Sequence, residues 1–172
     1  MHNFPWLPLI ILVLAGAVVA ALKGKTTGRR DADLSKPWPL EAKNPLLSDP
    51  ERVLYQRLVQ ALPDHIILAQ VQLLQALQFK RGQRSQALLN RISQLSVDFL
   101  ILNPDTSIRA AIELDDRSHE RADRKQADAR KTHALQSAGV PLIRWNTRSL
   151  PDIAAIGTAV GAVPVQQPGS RR

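Results

Sequence analysis

Three acids in otherwise apolar segments, Asp98, Glu113 and Asp115, are the residues of this chain best suited to chemistry. Like charges that lie close together are stable only if a cation or a proton sits between them. Oxygen-rich clusters of this kind suit Mg²⁺ or Mn²⁺, which can activate water and neutralise phosphoryl charge. His119, four residues after Asp115, could serve there as a general base, a ligand or a phosphate contact.

A structural explanation of the same acids stays open, because ion-pair networks also gather charges. The acids could be solvated at strand ends, or they could pair with basic side chains elsewhere in the domain. The candidate partners are Arg109, Arg130, Arg144 and Lys125.

Two predicted strands, residues 97–102 and 109–115, must bring these acids together. The two-residue period of the second strand puts both of its acids on one face. A hairpin loop over residues 104–107, with the flanking residues paired, then sets Asp98 opposite Glu113. The sequence therefore predicts three carboxylates on one face of one sheet.

The rest of the domain alternates helices and strands. Ser48-Asp49-Pro50-Glu51 is a capping box with proline in the first turn, which predicts the start of a helix and gives Glu51 a structural role. The later predicted elements are a strand at 66–71, short helices at 72–79 and 86–93, a charged helix at 121–138 ended by Gly139, and a strand at 140–145. Pro141, near the start of that last strand, favours an edge or an entry position. This order predicts an α/β or α+β domain with a mixed sheet.

The predicted charged helix admits two interpretations. It is either a solvated face with ion pairs between successive turns, or an edge that contacts phosphates beside the acids. Basic loop residues could extend such an edge, whereas aromatic residues are few and no stacking platform is evident. The residues concerned are Arg121, Arg124, Lys125, Arg130 and Lys131 on the helix, and Lys80, Arg81 and Arg84 in the loop.

Residues 4–22 are almost wholly apolar, and at 1.5 Å per residue this segment is about 28 Å long, one hydrocarbon thickness. The positive-inside rule places its carboxyl side in the cytoplasm because basic residues follow it directly. A cleaved signal peptide ending near Ala15-Gly16-Ala17 is the competing interpretation, but Lys and Arg are absent from its n-region. The sequence predicts an uncleaved, single-pass anchor in the cytoplasmic membrane. The flanking basic residues are Lys23, Lys25, Arg29 and Arg30.

Composition divides the chain into five segments: a short end at 1–3, the anchor at 4–22, a basic flexible linker at 23–45, the domain at 46–152 and a mostly disordered tail at 153–172. The net charge of +8 overstates the case for nucleic-acid binding, because the domain contributes only +3 and the linker contributes as much. The absence of cysteine excludes disulfides, thiolate catalysis and cysteine-bound zinc.

A combination of short motifs resembles the family catalogued as domain of unknown function 2726, over roughly residues 46–148. Glu51 to Tyr55 fits the opening helix of that family. The other motifs are Val97-Asp98-Phe99, Ile112-Glu113-Leu114-Asp115-Asp116 with His119, Asp128, and Ala138 to Arg144. That family in turn resembles the PD-(D/E)XK nuclease superfamily, near the very-short-patch mismatch-repair endonucleases.

The resemblance implies a restriction-endonuclease-like core and a metal-dependent nuclease. Asp98 matches the first motif acid and Glu113 the acid of the second half-motif, whereas Asp115 stands where the superfamily usually has lysine. His119 or Lys125 would then take over the role of that lysine. Glu51 corresponds to a helix acid that assists metal binding in some members.

The leading hypothesis is a membrane-tethered nuclease-like domain that uses Mg²⁺ or Mn²⁺ to cleave phosphodiester bonds of DNA or RNA. In this hypothesis the metal ligands are Asp98, Glu113, Asp115 and Glu51, the base is His119, and the phosphate contacts are Lys125, Arg130, Lys131 and Arg144. The alternative is a catalytically inactive nuclease fold that binds nucleic acid or acts as a scaffold at the membrane. A metal-independent protein-interaction domain is a third possibility.

Overall fold

The computed structural model describes residues 34–115 and 122–164, without the side chains of 122–124. The predicted membrane anchor at 4–22 therefore lies outside the described residues. Within the described part of the chain, no helix is long and apolar enough to cross a membrane.

The chain divides into two compact units, Met1–Ala42 and Lys43–Arg172. In the first unit, the described residues 34–42 contain turns and bends and neither a helix nor a strand. All described helices and strands lie in the second unit. They are α1 (Asp49–Ala61), β1 (Ile66–Gln72), α2 (Leu73–Ala76), α3 (Gln86–Ile92), β2 (Ser96–Leu102), β3 (Ile108–Asp115), α4 (Ala122–Ser137), β4 (Leu142–Asn146) and α5 (Ile153–Gly161).

The four described strands form one mixed sheet in the order β1-β2-β3-β4. β1, β2 and β3 pair antiparallel, and β4 runs parallel to β3. Helix α4 provides the crossover between β3 and β4, and Gly139 ends it with a left-handed φ of 73°. The predicted mixed sheet, the predicted element order and the edge position of the strand after Pro141 are confirmed.

Apolar side chains cover both faces of the sheet. On one face, α1 contributes Leu54 and Leu58 to a core that also contains Phe99 and Ile112. On the other face, Leu135 of α4 packs in a second core. This second core also contains Leu73, Val97, Leu100 and Ala111. Side chains of β2 and β3 contribute to both cores, with Phe99 and Ile112 in the first, and Leu100 and Ala111 in the second.

The predicted pairing at the hairpin turn is wrong by one residue. The N–H of Asn103 donates to the Ser107 carbonyl at 2.9 Å, and Leu102 pairs with Ile108. An irregularity between Ile101 and Leu102 absorbs the shift, since an extra residue in one strand displaces the pairing by one. Beyond it the predicted register returns, with Phe99 opposite Ile112.

The prediction of a mostly disordered tail from 153 onward is wrong for the first nine residues of that segment. Asp152 caps α5, since its side chain accepts a hydrogen bond from the N–H of Ala155 at 2.8 Å. Ile156 and Val160 are buried in the core beside α1. Arg109 also holds this helix, because its guanidinium donates to the Val160 carbonyl at 2.8 Å. The composition of α5, rich in alanine and glycine, concealed its amphipathic pattern.

Replacing Ile156 by Ala is expected to lower the free energy of unfolding by about 2–5 kcal/mol, because it opens a cavity at a fully buried position. The matched change Ile153→Ala, at a residue of the same helix that is 44% exposed, should change it by less than about 0.5 kcal/mol. Urea denaturation of the two variants measures both values. Equal effects would show that α5 does not belong to the core.

Candidate functional site

Asp98 and Glu113 lie on the neighbouring strands β2 and β3, and Glu113 is directed towards α4, where Lys131 contacts it. Asp98 precedes Phe99, and Glu113 follows the residue that pairs with Phe99, so the register sets the two acids opposite each other. The Oδ2 atom of Asp98 accepts a hydrogen bond from the N–H of Leu114 at 2.7 Å. This contact fixes the first acid against the backbone of the strand that carries the second.

Glu113 is the one buried charged residue in the described part of the chain, with 6% of its surface exposed. Its Oε2 atom accepts a hydrogen bond from the Lys131 ammonium at 2.7 Å. Its Oε1 atom is buried and has no hydrogen-bond partner among the described residues. Burial raises the pKa of Glu113 to about 7, although the Lys131 contact lowers it.

Asp98 belongs to the same electrostatic environment. Burial raises the pKa of Asp98, and the negative charges of Glu51 and Asp115 raise it further, against the lowering effect of the Leu114 hydrogen bond and of Lys131. Asp98 is therefore close enough to the other three predicted acids to interact with each of them. A positive charge placed among them would relieve their repulsion.

Asp115 is held by Arg144, which pairs with Glu113 in the register of the parallel strand β4. The guanidinium of Arg144 donates to both oxygens of Asp115, at 3.1 and 3.2 Å. Its second terminal nitrogen, Nη2, donates to Oδ1 of Asp128 at 2.7 Å and to the Thr132 hydroxyl at 2.9 Å, and both residues lie on α4. Burial acts to lower the pKa of Arg144, but Asp128 and Asp115 outweigh it and raise that pKa. This network joins the sheet to the helix.

Glu51 lies at the amino end of α1, and its carboxylate already has three donors. The N–H and the hydroxyl of Ser48 donate to Oε2 at 2.7 and 2.6 Å, which confirms the predicted interaction of a capping box. The side-chain amide of Gln70 donates to Oε1 at 2.6 Å. Gln70 itself has a left-handed φ of 53° in β1, at the point where the pairing with β2 skips a residue.

The predicted basic residues take different places. Lys131 and Arg144 contact acids of the site, and Lys125 is exposed on the first turns of α4. Arg130 is exposed and lines a groove on another side of the same helix. His119 lies outside the described residues, so its role as a base stays a prediction.

Sequence reasoning missed the contact between Lys131 and Glu113. A signal was present, because Asp128, Lys131 and Leu135 recur at the three- and four-residue spacing of one helix face, and Leu135 is fully buried. Of the basic residues predicted as alternative partners of the acids, Arg144 is confirmed. The prediction of Arg109 as a partner is wrong, since its guanidinium donates to backbone carbonyls at the end of α5.

The carboxylates of the site meet part of what a hard divalent cation such as Mg²⁺ requires of its ligands. Among the described residues, no group of three or more His, Cys, Asp or Glu side chains is arranged to hold a metal ion. Mg²⁺, however, is commonly bound by one or two carboxylates together with waters and substrate phosphates. Asp98 and Glu113 meet this smaller requirement, because the buried Oε1 of Glu113 lacks a protein partner.

Fold and site together define a mixed-sheet α/β domain with a buried acid–lysine pair between the sheet and its crossover helix. The chain belongs to the family described as protein of unknown function (DUF2726), whose sequence model matches residues 43–163. The predicted membership is therefore confirmed, over a somewhat longer segment than expected. Searches of curated proteins and of solved structures gave no match.

Proposed function

We propose that this chain is a metal-dependent, nuclease-like protein that hydrolyses phosphodiester bonds of DNA or RNA. The buried Oε1 atom of Glu113 carries the proposal, since it lies opposite a second acid and has no partner among the described residues. A buried polar atom without a partner lowers the stability of the fold. Such unfavourable arrangements are common at functional sites.

Each side chain of the site has a proposed task. Asp98 and Glu113 would hold Mg²⁺ or Mn²⁺, which supplies charge neutralisation at the phosphoryl group and a more acidic water. Lys131 donates a hydrogen bond to the Glu113 carboxylate, and its proposed task is to hold that carboxylate in place and to supply a positive charge beside it. Asp115 and Glu51 remain proposed as additional ligands and His119 as the base. Lys125 and Arg144 remain proposed phosphate contacts.

The proposed location is the cytoplasmic face of the membrane. The apolar segment 4–22 would act as a single-pass anchor, with the basic residues after it on the cytoplasmic side. Nucleic acid is present on that side, which agrees with the proposed substrate.

A second candidate is a catalytically inactive nuclease fold that binds nucleic acid or acts as a scaffold at the membrane. One observation favours it: Lys131 forms a salt bridge with Glu113, and Arg144 forms one with Asp115. The acids would then stabilise the contact between α4 and the sheet.

Cleavage assays with the full 172-residue chain in mild detergent test the first proposal. We expect labelled single-stranded and duplex DNA and RNA to include at least one substrate that is cut with Mg²⁺ and is not cut with EDTA. Asp98→Asn should lower this activity by about 100-fold or more, because it removes the negative charge of a proposed metal ligand.

Calorimetric titration with Mg²⁺ separates the two candidates. A binding heat that is present in the wild-type chain and lost in Asp98→Asn supports the enzyme. Intact nucleic acid under all metal conditions, together with no Mg²⁺ heat, would establish the inactive alternative.

A further inference from the structure

A groove of about 460 Å³ lies on the other side of α4, between that helix and α3 with the segment before it. This basic groove is distinct from the acidic site, although both are bounded by α4. The residues that line it are Leu77, Phe79, Lys80, Arg91, Ile92 and Arg130, together with shorter or more peripheral side chains.

The basic groove combines an apolar floor with a cationic rim. Phe79 and Ile92 are half-buried and form part of the floor, while Lys80, Arg91 and Arg130 are exposed. None of the described residues that line it is acidic. The three cations are therefore not neutralised by a carboxylate within the groove, which makes the groove complementary to an anionic ligand with an apolar or aromatic part.

Single-stranded nucleic acid has this combination of properties. Its phosphates can pair with Lys and Arg, and its unstacked bases can lie on apolar and aromatic side chains. A duplex keeps its base faces inside the stack and would use only the cationic rim. Phe79, with the exposed imidazole of His133 on the opposite wall, supplies the stacking surface that was not evident from the sequence.

We infer that the basic groove binds single-stranded DNA or RNA and leads it along α4 towards the acidic site. This inference rests on the proposed function for the direction of the strand, but the binding itself does not require catalysis. Arg130 and Lys131 are consecutive on α4, and successive residues of a helix diverge by about 100°. One helix therefore directs Arg130 to the groove and Lys131 to Glu113.

Fluorescence anisotropy tests the inference with the full chain in mild detergent and EDTA, where no cleavage occurs. The probes are a labelled 12-nucleotide single strand of mixed sequence and the matching 12-base-pair duplex. We expect the single strand to bind at least about 10-fold more tightly. Arg91→Ala and Arg130→Ala should each weaken binding and reduce the salt slope by about 0.7, the value for one lost phosphate contact on a single strand.

Two further variants isolate the apolar floor and the position of the charges. Phe79→Leu keeps an apolar side chain and should weaken single-strand binding about 5-fold or more by removing the stacking surface, with little effect on the duplex. Arg52→Ala is the matched control, since Arg52 lies on α1 at the opposite face of the sheet and is 61% exposed. It should bind the single strand as the wild type does.

Equal binding of single strand and duplex would overturn the inference. Wild-type affinity of both groove arginine variants would overturn it too, as would tighter binding of an acidic peptide or of vesicles containing phosphatidylserine. Failure here is distinguishable from failure of the proposed function. Cleavage without groove-dependent binding removes only the inference, and groove-dependent binding without cleavage removes only the nuclease.

Discussion

Replacing Glu113 by Gln is expected to lower Mg²⁺-dependent cleavage by about 100-fold or more while the domain stays folded. The substitution keeps the size of the side chain and an oxygen for the Lys131 ammonium, 2.7 Å away in the wild type. It removes the negative charge that a divalent cation requires, and even residues outside the ligand set commonly cost 10- to 100-fold in metal affinity or activity. Single-turnover cleavage with saturating enzyme measures the effect.

The same substitution should stabilise the metal-free domain above neutral pH. Burial raises the pKa of Glu113 from its ordinary value of 4.5 to about 7, so between these values the unfolded chain has released a proton that the folded chain retains. The wild type therefore loses stability as the pH rises through this window, whereas glutamine does not titrate. The free energy of unfolding of Glu113→Gln, relative to that of the wild type, should therefore rise by on the order of 1–3 kcal/mol from pH 4.5 to 7.

Activity and stability that move in opposite directions would show that Glu113 is retained for function at a cost to the fold. Glu41→Gln is the matched control, because Glu41 is exposed and lies outside the domain. It should leave both cleavage and the pH dependence of stability unchanged. Destabilisation of Glu113→Gln at pH 8, with cleavage retained, would contradict the assignment and make the acid a structural partner of Lys131.

The position of the paired acids followed from elementary pattern reasoning. One correct pairing between β2 and β3 predicts which residues lie opposite each other along the regular part of the ladder. Ile108 was predicted to pair with Asn103 but pairs with Leu102, yet the irregularity between Ile101 and Leu102 restored the predicted register before Asp98. The strand pattern therefore predicted the relation of Asp98 to Glu113 better than it predicted the turn.

The partners of these acids could not be predicted in the same way. Which face of α4 meets the sheet depends on packing between distant segments, and α4 is too polar overall for its few apolar residues to fix that face. Lys131 was therefore placed among the phosphate contacts, whereas its ammonium lies against Glu113. Helix α5 was missed for a related reason, since alanine and glycine hide the periodicity that Ile156 and Val160 carry.

Replacing Lys131 by Met is expected to lower cleavage at pH 7 by roughly 10- to 100-fold, through Glu113 and without any contact with substrate. The Lys131 contact lowers the pKa of Glu113, so its loss should raise that pKa above 7 and leave the carboxyl mostly protonated at neutral pH. NMR titration of the Glu113 carboxyl in EDTA measures the shift directly. Raising the pH should restore part of the lost activity, because it returns the negative charge to Glu113.

Two matched variants separate this role from the alternatives. Lys131→Arg keeps a positive charge near Glu113 and should retain more activity than Lys131→Met, with a smaller change in the pKa of Glu113. Lys36→Met removes an exposed lysine outside the domain and should change neither quantity. A loss of cleavage that does not vary with pH, with the pKa of Glu113 still near 7, would place Lys131 on the phosphate instead. Lys131 would then have no role in positioning Glu113, and the inactive alternative would gain support.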